Sequence, residues 1–256
     1  TFDNSDVLPK SFLDSLQILK KNKPEIYAQF VMNDWAISAD RYILIKPSEV
    51  EALKDMVIQE PSTKKIVSVD PAMGGDECPV YAFENSQIID TLILNHKDTM
   101  KVTGEIILFM AKHNINDVAI DVIGIGAGIA DRLSELGKRV IRINSSESSA
   151  NQNKFLNRRA EMWWYGSQVI QDRKIVYPAD ELLRKQLSSV RYKVINSNGK
   201  IQMEHKPDVK KRLGSSPDRA DAFVYGIWGL QQVESLKGQD RYRRRSTEYD
   251  LNPATV

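Results

Sequence analysis

Between residues 64 and 94 the chain runs KKIVSVD, PVYAFEN and QIIDTLIL, three stretches rich in β-branched and aromatic residues separated only by short, turn-rich pieces. A parallel crossover needs a dozen or more residues, so connections this short predict an antiparallel meander. After it the periodicity alternates. Residues 99–113 (TMKVTGEIILFMAKH) place Ile106, Ile107, Met110 and Ala111 at helical spacing. A strand DVAID, a helix over 127–136, a strand RVIRI and a helix from about Lys154 to Asp172 then follow. The order βββαβαβ with further helices predicts an α/β fold, a mixed sheet of about five strands covered by helices on both faces.

The flanking segments read less regularly. Residues 9–22 and 24–35 have the pattern of short amphipathic helices, with Pro24 suited to a first helical position. RYILIK (41–46) reads as a short strand, and Pro47-Ser48 opens a helix through about Gln59. KIVYP (174–178) reads as a strand, 180–189 as a helix, and RYKVINSNGKIQME as a hairpin turning at Asn198-Gly199. Ser216-Pro217 starts a helix through Leu230. These readings divide the chain into a helical linker segment (1–61), a main domain (62–235) and a basic, flexible tail (236–256).

Composition excludes several classes of function. A hydrophobic share of 41% and a charged share of 27% are those of a soluble globular protein, and no apolar run approaches the roughly 20 residues of a membrane helix. The single cysteine, Cys78, rules out an internal disulfide, and with three histidines it leaves little for a structural zinc site. Net charge is only +2, but basic residues gather at Lys154, Arg158 and Arg159, at Lys206 and Lys210–Arg212, and at Arg241 and 243–245. Such clusters suit a phosphate-bearing partner as well as solvated faces. The chain opens on Thr1, as a piece of a longer protein would.

Asp70 closes KKIVSVD, Asp121 closes DVAID, and Asp221 stands in SPDRADAF. Carboxylates at strand ends sit at the open edge of a sheet. Gathered together, they repel unless a cation offsets them, and hard divalent ions prefer oxygen ligands. Asp218 and Asp221 are three apart, hence on one helix face. Asp218 is accounted for as a first-turn acid paired with Ser215 in the manner of a capping box. Asp221 shares its face with Val224, Tyr225 and Trp228 and leans toward the core. Asp76, in the glycine-rich turn after Asp70, reads as a turn former or an outer metal ligand. The stripe Met162-Trp163-Trp164-Tyr165 reads as core packing. Gly124, Gly126 and Gly128 run G-x-G-x-G, which is not the dinucleotide fingerprint; they permit close backbone approach beside Asp121 and free N–H groups at a helix start. A Walker A loop and a G-x-S-x-G elbow are both absent from the sequence.

The blocks VSVDPAMGGD, IDVIGIGAGIADRL, FLNRRAEMWW, RYKV with SNGKIQME, and SPDRADAF, in that order, resemble the nuclease domain of tailed-phage terminase large subunits over about residues 62–233. The opening region, with PEIYAQFVMNDW, resembles the segment that joins the packaging ATPase to that nuclease, and the ATPase itself is missing. The resemblance implies a ribonuclease H-like sheet with an added hairpin and a small helical N-terminal segment. It further implies an endonuclease that cuts concatemeric double-stranded viral DNA during packaging. Asp70, Asp121 and Asp221 would be the catalytic acids that bind two Mg²⁺ or Mn²⁺ ions, with Asp218 auxiliary and Asp76 outermost. Arg158, Arg159, Lys193, Lys210, Lys211 and Arg212 would meet DNA phosphates. In the full-length protein the partners would be the phage portal and the small terminase subunit. The setting would be the cytoplasm of an infected bacterial host and, transiently, the procapsid portal. Alternatives on the same fold are a junction resolvase, an RNA–DNA hybrid nuclease, or a non-catalytic DNA-binding or portal-docking module.

Overall fold

A computed structural model of the chain describes residues 8–22, 27, 31, 42–54, 56, 64–72, 76–176, 180–195 and 199–233. The three β-branched runs form β1 (Lys65–Val69), β2 (Cys78–Glu84) and β3 (Gln87–Leu94), an antiparallel meander in which Lys65 faces Glu84 and Cys78 faces Leu94. Two further strands, β4 (Asp117–Asp121) and β5 (Arg139–Ile143), join in parallel on the other side of β1. The sheet order is β3-β2-β1-β4-β5, which puts β1 at the centre. Every residue of β4 is buried, as expected for a strand covered on both faces.

Alternation along β1 and β4 assigns each side chain to a face. Val67, Val69, Val118 and Ile120 pack with Ile106 and Met110 of α3 (Thr99–Lys112) and Ile129 and Leu133 of α4 (Gly126–Glu135). Ile66 and Ala119 face the other layer, with Trp163 of α5 (Arg158–Gln171) and Phe223, Val224 and Tyr225 of a helix spanning 218–233. That helix is α8 once two shorter ones are counted, α6 (Glu181–Leu187) and α7 (Lys206–Leu213). It lies close to the sheet because Gly226 has no side chain: a Cβ there would stand 2.0 Å from the Phe83 ring. Among the described residues two more helices precede the sheet, α1 (Lys10–Asn22) and α2 (Pro47–Glu51). A small hairpin, β6 (Tyr192–Val194) with β7 (Ile201–Met203), stands apart from the sheet.

Several boundaries differ from the sequence reading. The helix expected from Lys154 starts at Arg158, because Asn157 caps it, accepting the Ala160 N–H, while Phe155 bridges to Ile201. RYILIK contributes one isolated bridge, Ile43 to Arg191, and KIVYP one, Val176 to Gln87, with 177–179 outside the described residues. The helix at Pro47 ends at Glu51 in a turn rather than continuing to Gln59. No element is expected from the sequence over 206–213, yet α7 forms there, with Pro207 in its first turn and Gly214 left-handed at its C-terminus. Most of 24–35, the hairpin turn at 196–198 and the whole 236–256 tail fall outside the described residues.

One glycine fixes how the sheet edge meets the helix after it. A Cβ on Gly126 would lie 1.8 Å from the Asp121 carbonyl oxygen, so α4 starts directly against the end of β4. That carbonyl is strand backbone and has no room to give. Gly126→Ala is expected to cost about 2–3 kcal/mol, lowering the melting temperature by roughly 5–10 °C for a domain of this size. Thermal unfolding by circular dichroism checks this; an unchanged midpoint would contradict it.

Candidate active site

The last registered pair of the parallel β1–β4 ladder is Val69 with Ile120. Asp70 and Asp121 are each the next residue, side by side at the C-terminal edge. By alternation they follow Ser68 and Ala119 onto the face that α8 covers. From α8 come Asp218 and Asp221, less than one turn apart. All four carboxylates are buried, Asp221 completely at 0% exposure. The sequence-predicted acids therefore converge on one sheet edge.

At their centre stands a residue absent from the sequence reading of the site. Lys206, at the first position of α7, puts Nζ 3.0 Å from Asp70 Oδ2, 2.9 Å from Asp221 Oδ2 and 3.7 Å from Asp218 Oδ1. Asp221 is held from its other side by Trp163, whose Nε1 donates to Oδ1 at 2.8 Å, and by Arg159 at 3.4 Å. Asp221 Oδ2 has no hydrogen-bond donor within the described residues apart from the nearby ammonium. Asp121 accepts from the Ile123 N–H at 2.9 Å, from the Tyr225 hydroxyl at 3.0 Å and from Ser145 Oγ at 3.4 Å. Asp218 accepts from Ser216 Oγ at 2.5 Å, so its partner is Ser216 rather than the expected Ser215.

One ammonium cannot offset so many buried carboxylates, and protonation follows from that. Burial pushes Asp70 up to about 8, with Asp221 and Asp218 adding to the rise and Lys206 opposing it. Burial also raises Asp218. Burial opposes the charge on Asp221 too, but Lys206 and Arg159 hold its carboxyl below the usual range. Lys206 is itself buried against its charge, yet Asp221, Asp70 and Asp218 keep it above the ordinary lysine range. At neutral pH burial and the neighbouring acids thus favour the protonated form of Asp70.

The sign of the pH effect follows. A carboxyl whose folded pKa lies above its unfolded value contributes stability that is complete below about pH 4 and is lost as pH rises through the folded value. For Asp70 that window runs from 3.8 to about 8. In EDTA the melting temperature is expected to fall as pH is raised from 5 to 8, and Asp70→Asn should flatten the slope. Thermal scans of both proteins at fixed ionic strength check this; a wild-type midpoint that rises over that range would contradict it.

Among the described residues no three of His, Cys, Asp or Glu converge closely enough as they stand to clasp a metal ion. The ammonium takes the central position instead. The donor set still suits a hard cation: buried carboxylate oxygens, one of which, Asp221 Oδ2, meets only the Lys206 ammonium among the described residues. Withdrawal of Lys206 would leave these oxygens facing one another.

The six predicted DNA contacts fare differently. Arg159 is buried and bonded to Asp221 and the Glu204 carbonyl, which makes it part of the carboxylate site rather than a surface cation. Arg158 pairs with Glu147, Lys210 with Asp76, and Arg212 with Glu204 and the Ser189 carbonyl. Lys193 and Lys211 are exposed. Asp76 gives both oxygens to Lys210 and does not join the central carboxylates.

Two side chains set the angle of α8 and were not legible as such. The buried Gln186 amide donates to the Ser216 carbonyl at 3.0 Å and accepts the Ala220 N–H at 3.1 Å, so it caps the helix from α6. Arg219 binds Glu77 through two nitrogens and Asp180 through a third, tying α8 to the loop that follows Asp70. A buried polar residue at helical spacing carries no sign in the sequence of which helix it caps.

The chain matches no protein-family profile. It also matches no curated protein. Solved structures do share its fold. The nuclease domain of the large terminase subunit of bacterial virus Sf6 superimposes with a TM-score of 0.60 at 19% identity, covering 71% of this chain and 96% of that one. The large terminase nuclease from thermophilic phage G20c gives 0.55 at 12% identity, covering 72% of this chain and 97% of that one. A second structure of the G20c nuclease, with bound magnesium, gives 0.54 at 12% identity, covering 72% and 96%. The five-stranded mixed sheet with flanking helices and a separate hairpin is the ribonuclease H-like fold of these nuclease domains.

Proposed function

We propose that this chain is a metal-dependent endonuclease that cuts concatemeric double-stranded viral DNA during genome packaging. The observation that carries the reading is the convergence of Asp70, Asp121 and Asp221, from two adjacent parallel strands and one helix, on one sheet edge, with the Lys206 ammonium between Asp70 and Asp221. The likeness to phage terminase nuclease domains supports it.

Two Mg²⁺ or Mn²⁺ ions held by Asp70, Asp121 and Asp221 would supply a polarised water and charge stabilisation for the departing 3′-oxygen. The protein's part is to keep the acids placed and dry. Trp163 and Arg159 fix one oxygen of Asp221, leaving the other to face the site. Tyr225 and the Ile123 N–H fix Asp121. Lys206 offsets charge in the metal-free state, and its long stem lets the ammonium swing out to meet a phosphate. Lys193 and Lys211 are free to meet the DNA backbone, with Asp218 an auxiliary acid and Asp76 outside the cluster. In a full-length protein the partners would be the portal and the small terminase subunit, in the host cytoplasm and at the procapsid. No helix among the described residues is long and apolar enough to cross a membrane.

Digestion of supercoiled plasmid with Mg²⁺, Mn²⁺, Ca²⁺ or EDTA tests the reading. Mg²⁺ or Mn²⁺ should yield linear and shorter products, and EDTA none. Cutting that persists in EDTA, or no cutting with either ion, would overturn it.

A further inference from the structure

A cavity of about 270 Å³ opens beside the hairpin, walled by Tyr42, Arg191, Tyr192, Lys193, Met203 and Asp208. Its walls are tied together by backbone: the Tyr192 N–H donates to the Tyr42 carbonyl at 2.8 Å, and the Leu44 N–H to Val190 at 3.1 Å. Aromatic rings continue from it in a row, Tyr42 to Tyr192 at 6.4 Å, Tyr192 to Trp164 at 5.6 Å, Trp164 to Phe155 at 6.1 Å, and Lys154 lies over the last two.

The charges here differ from those elsewhere. Most basic side chains near the carboxylate site are engaged by acids, as described above. Among the described residues Arg191 pairs with no acid, and its Nε is buried without a hydrogen-bond partner. Lys193 beside it is exposed on the hairpin. The cavity therefore offers apolar ring walls, two cations, and in Asp208 an acceptor for a base N–H. That combination is the chemistry of a nucleotide: ring, phosphate and N–H edge.

The cavity is also joined to the acids. Glu204 and His205 complete its lining, and Lys206 is the next residue. Arg159 spans the two places, donating to the Glu204 carbonyl at 2.7 Å and to Asp221 at 3.4 Å.

We propose that this cavity holds an unpaired nucleotide of the DNA strand, its base stacked on the exposed Tyr42 ring, which Tyr192 supports at a steep angle, and its phosphate met by Arg191 and Lys193. The inference rests on DNA being the substrate, and it adds that the site takes hold of a single strand. A paired base cannot enter, since its faces and edge are already occupied in the duplex. The site thus favours frayed or overhanging ends over closed duplex.

The test measures binding in EDTA, so that it is independent of cleavage. Fluorescein-labelled dT12 and a blunt 12-bp duplex are titrated with the chain, with Tyr42→Ala and with Tyr42→Phe. Stacking on one ring is worth enough that the ratio of single-strand to duplex affinity should fall about tenfold in Tyr42→Ala. Tyr42→Phe, which keeps the ring, should restore it. Arg191→Gln should lower the same ratio. An unchanged ratio in Tyr42→Ala, or equal loss in the alanine and phenylalanine variants, would overturn the proposal. Full displacement of dT12 by millimolar thymidine monophosphate would also overturn it, by assigning the cavity to free nucleotides. Failure to cut plasmid, with these binding results intact, would refute the nuclease reading and leave the single-strand site standing.

Discussion

Asp221→Asn is expected to abolish DNA cleavage while leaving the fold in place. Asp221 is fully buried, accepts from Trp163 and Arg159 through one oxygen, and faces Lys206 with the other. An amide fills the same volume and still accepts from the indole, but it lacks the charge that holds a divalent ion. Losing about 4 kcal/mol of transition-state stabilisation corresponds to about a thousandfold in rate. Asp218→Asn should cost far less, about tenfold, because its oxygen is already taken by Ser216 and lies 3.7 Å from the Lys206 nitrogen. Initial rates of supercoiled plasmid loss, read beside the melting temperature of each variant, separate the two. Equal and complete loss in both, with unchanged melting temperatures, would make Asp218 a direct ligand.

Lys206→Ala should have opposite effects with and without metal. Without metal it leaves Asp221 and Asp70 buried with no ammonium between them. Removing one partner of a buried ion pair costs about 3–5 kcal/mol. A third of the Lys206 side chain remains exposed, at 35%, so solvent screening reduces this to about 2 kcal/mol. The expected fall in melting temperature in EDTA is then about 4–8 °C. Added Mn²⁺ should restore it by more than it raises the wild type, because the ion no longer competes with an ammonium. Scans of both proteins with EDTA and with Mn²⁺ give the comparison. A variant as stable as the wild type in EDTA would show that Lys206 does not offset the carboxylates.

The sheet was legible because its signals are local. Three β-branched runs with short connections can pair only as a meander, and DVAID and RVIRI alternate with helical spacing. Asp70 and Asp121 were legible for the same reason, since a residue that closes a buried strand must stand at its edge. Asp221 was legible through its apolar neighbours on one helix face. Lys206 was not, because its partner Asp70 lies 136 residues away and α7 buries only Val209, too little for an apolar stripe. The partners of the basic clusters were hidden in a related way. Arg158, Arg159, Lys210 and Arg212 look like a phosphate-binding surface in sequence, yet each meets a carboxylate that folding brings from elsewhere. Trp163 read correctly as core, but the acid it donates to was invisible until α5 and α8 were packed together.

The central claim is that these acids gather divalent metal where the Lys206 ammonium now stands. Anomalous diffraction from a crystal of the chain soaked in Mn²⁺ tests it directly. The account predicts an anomalous peak bounded by oxygens of Asp70, Asp121 and Asp221, with Lys206 Nζ moved out of hydrogen-bonding reach of Asp70. Lys206 still in place between Asp70 and Asp221, with no anomalous peak among the acids at saturating Mn²⁺, would contradict it.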